Sequence, residues 1–240
     1  MKKGIYILPN GLTLVGMFAG FYAIVMAING NYVLASWAVI VAIVFDSLDG
    51  FVARLTGSAT RFGIELDSLS DLVAFGVAPA VIIYLSSIYA FGRVGWVAAF
   101  LFVACGALRL ARFNVQMVTT EKRYFMGVPI PAAALVLVSL IIFANERGLD
   151  PDGSLFVLVL TFALALLMVS TLRYHGAKEI NFTKRKPFWL LVAIVLVIVI
   201  IAMHPEIALF SFAIIYISAG IIENLYLFLR RKKEKAHEAR

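Results

Sequence analysis

The sequence predicts an all-α polytopic membrane protein, with about eight helices crossing the bilayer and both termini cytoplasmic. Three observations carry that expectation. The 240 residues are 62% hydrophobic with a mean hydropathy of +0.97, above the roughly half-apolar composition of a soluble domain. Apolar segments near the ~20 residues that a bilayer core requires recur along the whole chain. The positive charge is also one-sided. Of the 21 Lys and Arg, 19 fall at the two termini, in alternate loops or at the span ends beside them, leaving only Arg93 and Arg147 on the other side. That asymmetry marks cytoplasmic segments.

The expected spans are 11–29, 32–54, 66–90, 94–114, 128–145, 154–172, 187–204 and 206–229. The first follows a basic start, "MKKG", without the small-residue cleavage site of a signal peptide, so it is expected to stay in place as a span. Its Gly16 and Gly20 form a GxxxG pattern that permits close helix packing. "NGN" at Asn29–Asn31 is a tight turn into the second span, and "HPE" at His204–Glu206 separates the last two. Gly57 and Gly63 let the short segment "LTGSATRFGIE" turn between the second and third, and Pro129 and Pro131 in "GVPIP" shape the start of the fifth.

The fourth span holds the single Cys105, between Ala104 and Gly106, which excludes an intramolecular disulfide and reads as a small packing residue. His175, His204 and His237 are isolated and have no metal-ligand spacing. Residues 1–229 are expected to form one membrane domain. The tail 230–240, "RRKKEKAHEAR", reads as a cytoplasmic anchor for anionic lipid headgroups. The formal charge of +7 therefore belongs to the membrane surface, not to a nucleic-acid face.

One stretch breaks the apolar pattern. In "VIVAIVFDSLDGFVARLTGSATRFGIELDSLSDLVAFG", Val39 to Gly76, a run fit for lipid opens onto Asp46, Asp49, Asp67 and Asp71. On a helix Asp46, Asp49, Gly50, Ala53 and Arg54 fall at i, i+3, i+4, i+7 and i+8, a single stripe. Asp67 and Asp71 are i and i+4 on the next helix, and the short linker must bring the two acidic ends together. Carboxylates this close repel one another strongly near lipid. Either several are protonated, as in a proton or ion relay, or divalent cations sit among them. Oxygen-only donors without His or Cys suit Mg²⁺ or Mn²⁺, and four Asp around two ions is the makeup of a two-metal phosphoryl-transfer site. Gly50 and Ala53 leave a shallow groove for a bulky ligand, and Arg54 offers a bidentate fork to phosphate oxygens.

These residues carry a resemblance. "DSLDGFVARLTGSATRFGIELDSLSD" matches the signature DxxDGxxARx8GxxxDxxxD, eight residues at set spacing, and is similar to the CDP-alcohol phosphotransferase family. The resemblance implies an integral membrane enzyme, usually homodimeric. Such an enzyme splits the pyrophosphate of a CDP-linked lipid, hands the phosphatidyl group to an alcohol and releases CMP. It implies Asp46, Asp49, Asp67 and Asp71 as ligands of two divalent cations, and Asp71 also as the general base toward the acceptor hydroxyl. Gly50, Arg54, Thr60 and Gly63 match positions in contact with the CDP moiety. Asp49 and Ala53 on the same stripe, with Asn10 and Thr13 of the first span, complete the expected CDP-lipid-binding set.

The signature does not choose the acceptor. "LPNGLTLVGMFAGFYAI", "SDLVAFGVAPAVIIY", "ALRLARFNV" and "FMGVPIPAAA" resemble the phosphatidylserine synthases of this family, which implies CDP-diacylglycerol and L-serine as substrates. Arg109 and Arg112, i and i+3 at the end of the fourth span, either meet the serine carboxylate or a lipid phosphate together with Asn114, or snorkel to the interface as anchors. Two alternatives use the same chemistry: another acceptor (glycerol 3-phosphate or an inositol phosphate), or an archaeal CDP-ether lipid donor. An ion-coupled transporter is the alternative from a different class. Against it, the acids cluster at one membrane face and no inverted repeat is visible.

Overall fold

The computed structural model describes residues 6–58, 60–119, 124–175 and 203–238. Four long helices come first. Helix α1 spans Ile7–Ile28 and α2 spans Tyr32–Thr56, joined at Asn29–Asn31 with Gly30 at φ +78°. Both helices bury small side chains, Ala19, Ala23 and Ala27 on α1 and Ala35, Ala38 and Ala42 on α2, so the two backbones approach closely along their length. Helix α2 ends in a Schellman motif. Gly57, at φ +60°, donates its N–H to the Arg54 carbonyl, and the N–H of Ser58 reaches Ala53.

Helix α3 spans Arg61–Phe91 as one continuous rod, but its winding changes along the way. It is α-helical over Arg61–Asp71, widens to a π-turn at Leu72–Val77, returns to α at Ala78–Ile83, and widens again at Tyr84–Ile88. The first widening has an identifiable cause. Pro79 lacks the N–H that would bond to the Phe75 carbonyl, and its ring crowds that carbonyl, so the turn around Phe75 opens. Helix α4 follows over Arg93–Thr119.

Helix α5, Ile130–Glu146, is the interior helix. Eleven of its 17 residues are buried, and it touches α2, α3, α6 and α7, as expected of a helix apolar on every side. Helix α6 is Leu155–Val169 and α7 is Pro205–Glu238. Large apolar side chains such as Phe18, Phe21, Val44, Trp96, Phe100 and Phe212 are exposed around the outside, which is the surface of an integral membrane protein facing lipid tails.

The all-helical expectation holds with one addition. Strands β1, Tyr124–Met126, and β2, Arg173–His175, pair antiparallel with Phe125 opposite Tyr174, and so clip the α4–α5 connection to the segment after α6. Helices α1 to α4 are long and apolar enough to cross a bilayer, and the shorter apolar helices are Ile130–Glu146, Leu155–Val169 and Pro205–Gly220. Most of the expected span 187–204 lies outside the described residues. Helix α3 starts five residues before the expected 66 because Thr60 caps it, accepting from the Gly63 N–H at 3.0 Å. Gly63 therefore sits in the first helical turn and not in a loop. The polar stretch from Arg61 to Glu65 escaped a hydropathy window that registers only apolar helix. Helix α7 likewise continues past 229, through the basic residues.

Gly20 tests the packing directly. A Cβ there would lie 2.5 Å from Ala74 Cα, inside the α3 backbone, whereas one at Gly11 would meet nothing within 4 Å. Gly20→Val is expected to destabilise the protein by roughly 1–3 kcal/mol through overpacking, while Gly11→Ala is neutral or slightly stabilising. Thermal aggregation monitored by size-exclusion chromatography in detergent would check both.

Candidate active site

The fold brings the two acidic pairs together. Helix α2 supplies Asp46 and Asp49, helix α3 supplies Asp67 and Asp71, and all four line one narrow cleft that α1 closes with Thr13 and Gly16. One oxygen from each of Asp46, Asp49 and Asp67 lies within 4.8 Å of the others, and the carboxyl group of Asp71 faces that of Asp46. Oxygens bound to one hard cation at about 2.1 Å are at most about 4.2 Å apart, so a small inward adjustment would close the three onto one ion. With carboxylate oxygens and no imidazole or thiolate, the cluster fits a hard metal ion. The cleft is distinct from a roomier cavity of about 500 Å³ near the α1–α2 turn, lined by Tyr32, Trp37, Ser86 and Asn145 among others.

Helix α1 reaches the acids through Thr13. Its Oγ1 lies 2.6 Å from Asp49 Oδ2 and 3.1 Å from the Pro9 carbonyl. With one proton to donate, the hydroxyl gives it to the carboxylate, the shorter and charge-assisted bond. Both Thr13 and Asp49 are 5% exposed. Ser70 Oγ donates to the Thr13 backbone carbonyl at 3.1 Å, so α3 is pinned to the same turn of α1.

The remaining expected residues fall into two groups. On the open side, a Cβ at Gly50 would meet nothing within 4 Å, Ala53 is half-buried beside it, and Arg54 is exposed one position on. Thr60 and Gly63 form the N-terminal turn of α3, where Asn10 Oδ1 stands 3.0 Å from the position a Gly63 Cβ would take. A Cβ there would require Asn10 Oδ1 to give way by a few tenths of an ångström.

The expected acceptor residues separate from one another. Arg112 Nη1 donates to the Val169 carbonyl at 3.1 Å, satisfying an end group of α6. Asn114 Nδ2 lies 3.0 Å from Ser68 Oγ and 3.5 Å from Glu65 Oε2, tying α4 to α3 beside the site acids of that helix. Arg109 is buried at 8% exposure and lies within electrostatic reach of Asp71 and of Tyr216 on α7. Cys105 is buried too, as a packing residue would be. Tyr216, Ser70 and the Thr13–Asp49 bond were missed by sequence reasoning. The stretch "FSFAIIYISAG" around Tyr216 has no pattern of its own, and the other two depend on interhelical distance.

The family model described as CDP-alcohol phosphatidyltransferase matches residues 6–172. The chain is 38% identical over 227 residues to a CDP-diacylglycerol–serine O-phosphatidyltransferase of Helicobacter pylori, covering 94% of each protein. An archaetidylserine synthase of Methanothermobacter thermautotrophicus is 37% identical over 169 residues, 70% of this chain and 69% of its own length. A CDP-diacylglycerol–serine O-phosphatidyltransferase of Methanocaldococcus jannaschii is 38% identical over 173 residues, 72% and 75% respectively. The protein belongs to the CDP-alcohol phosphatidyltransferase family.

The Thr13 bond generates a prediction. Thr13→Val keeps the shape but removes the donor to Asp49, and is expected to lower kcat/KM about tenfold, with Thr13→Ser restoring most of it. A merely packing role would give the opposite order, with Val tolerated and Ser not. Steady-state CMP release by the two purified variants distinguishes these outcomes.

Proposed function

We propose that the protein transfers the phosphatidyl group of CDP-diacylglycerol to the hydroxyl of L-serine, giving phosphatidylserine and CMP. The observation that carries this reading is the convergence of Asp46, Asp49, Asp67 and Asp71 from two adjacent membrane helices into one cleft. The names and coverage of the relatives support serine as the acceptor.

The four aspartates would hold two divalent cations, Mg²⁺ or Mn²⁺, which when bound neutralise the pyrophosphate and the charge left on CMP. The protein's own groups do the rest. Gly50 and Ala53 leave the α2 surface low enough for the nucleotide head to lie against it. Arg54 grips a phosphate oxygen, and the Thr60–Gly63 turn with Asn10 borders the nucleotide. Thr13 fixes the orientation of Asp49. Asp71 accepts the serine hydroxyl proton as the serine oxygen attacks the phosphatidyl phosphorus, and the bond from that phosphorus to the CMP oxygen breaks. A serine hydroxyl is too weak an acid to ionise alone near neutral pH, so this transfer needs a positioned base.

The site belongs at the cytoplasmic edge of the inner membrane. Acyl chains stay in lipid there, while nucleotide and serine arrive from water. The 19 Lys and Arg on that side support this sidedness, and with it eight spans, one membrane domain over 1–229 and a basic tail over 230–240. A homodimer is the assembly the family resemblance supports.

Purified protein with CDP-diacylglycerol and L-serine is expected to release CMP and form phosphatidylserine. EDTA should abolish both, and Mg²⁺ or Mn²⁺ should restore them. Asp71→Asn is expected to lower kcat by about 10²–10⁴ while CDP-diacylglycerol still raises the thermal midpoint of the variant. Turnover with glycerol 3-phosphate and none with L-serine would overturn the acceptor, and full activity in Asp71→Asn would remove the base role.

A further inference from the structure

Two serines flank the acidic face of α3. At the roughly 100° per residue of an α-helix, Ser68 and Ser70 stand about 160° apart by the shorter way around the axis, and Asp67 and Asp71 both fall on that arc. Each serine is tied to a different neighbour. Ser70 Oγ donates to the Thr13 carbonyl of α1 at 3.1 Å, and Ser68 Oγ accepts from Asn114 Nδ2 of α4 at 3.0 Å. The same Nδ2 stands 3.5 Å from Glu65 Oε2, one turn earlier on α3, so its two protons serve Glu65 and Ser68. The Ser68 hydroxyl then donates to the Ile64 carbonyl at 3.1 Å or back to Asn114 Oδ1 at 3.3 Å. Contacts on both sides of the acidic face resist rotation of α3 about its own axis. Asp67 depends on that restraint. The Asp49 carboxylate has the Thr13 hydroxyl at 2.6 Å, whereas among the described residues no donor bonds the Asp67 carboxylate. Its oxygen lies within 4.8 Å of those of Asp46 and Asp49, and their repulsion pushes it outward.

We propose that Asn114 is a positioning residue for the metal cluster: through Ser68 it sets the rotation of α3 that keeps Asp67 closed on Asp46 and Asp49. The inference rests on the divalent-cation reading above and adds to it two residues that tighten the cluster without touching an ion. The magnitudes favour such a role. A carboxylate about 5 Å from the helix axis moves by roughly 1 Å for every 10° of rotation, which is as large as the closure that one ion requires. With the Ser70 bond alone, α3 could pivot about that contact. The Asn114 bond on the opposite side of the acidic face removes the freedom. Both amide protons of Asn114 face acceptors on α3, which leaves none for a substrate and separates this residue from acceptor binding.

The test is Mn²⁺ binding to the purified protein in detergent, without substrates, read from the electron paramagnetic resonance signal of the free ion. Asn114→Ala and Ser68→Ala are each expected to weaken Mn²⁺ affinity about five- to tenfold, with the double variant no weaker than either alone because both remove one interaction. Ser68→Thr keeps the hydroxyl and is expected to stay near wild-type affinity. The Mn²⁺ concentration that half-activates CMP release should rise by the same factor, while KM for L-serine at saturating Mn²⁺ stays unchanged. Misfolded protein lowers the number of ions bound and not the affinity of the sites that remain, so a merely structural defect is separable. Should Asn114→Ala yield no folded protein, Ser68→Ala and Ser68→Thr decide in the same way. Unchanged Mn²⁺ affinity overturns the proposal, and a raised serine KM beside it would return Asn114 to the acceptor. Additive losses in the double variant overturn the link through Ser68. Absence of Mn²⁺ binding by the wild type sinks the divalent-cation reading itself.

Discussion

Four carboxylates held within a few ångströms of one another at the end of a membrane helix pair repel, and the repulsion grows as water is excluded. Protonation of some of them or cations bound among them would relieve it, so the fold must be strong enough to impose the cluster. Much of the rest follows from this. Two acids come from each of two helices joined by a very short connection, Gly57 to Thr60. The Schellman end of α2 and the Thr60 cap of α3 reverse the chain within that space, with backbone hydrogen bonds made at both helix ends.

Helix α1 is the clamp that holds the pair. Thr13 bonds the Asp49 carboxylate, its own carbonyl takes the Ser70 hydroxyl, and two turns further along Gly20 lies against the backbone of Ala74. Side-chain hydrogen bonding near the acids and backbone-to-backbone contact deeper in the membrane thus act on the same three helices. The π-turn at Leu72–Val77, forced by Pro79, begins one residue after Asp71. It changes the winding below the acids while leaving Asp67 and Asp71 on regular α-helix, where their i, i+4 spacing keeps them on one face.

The acidic cleft and the helix that carries Arg109 are built from different parts of the chain. Residues expected to meet the CDP-lipid lie within the signature on α2 and the start of α3, apart from Asn10 and Thr13 of α1. Arg109 comes from α4 and Tyr216 from α7, separated by more than a hundred residues. Asn114 and Arg112 brace α4 against α3 and α6, so the helix that carries Arg109 is fixed at its far end.

The helical class, the spans of α1 to α4 and the acidic constellation were legible in the sequence because each rests on local information: apolar run length, loop charge, and the 3.6-residue period that puts Asp46 and Asp49 on one stripe. Where structure departed from that reading, the cause was non-local or invisible to hydropathy. The early start of α3 at Arg61 is polar helix outside any apolar window, and the β1–β2 clip joins short segments about 50 residues apart. Thr13 looked like a ligand contact because it stands in a family-like segment, and only the packing of α1 on α2 revealed Asp49 as its partner. Arg109 and Arg112 are equivalent on a helical wheel. What separates them is which neighbours each meets, the Val169 carbonyl at the end of α6 for Arg112 and the electrostatic reach of Asp71 and Tyr216 for the buried Arg109, and that is decided by how the helices cross.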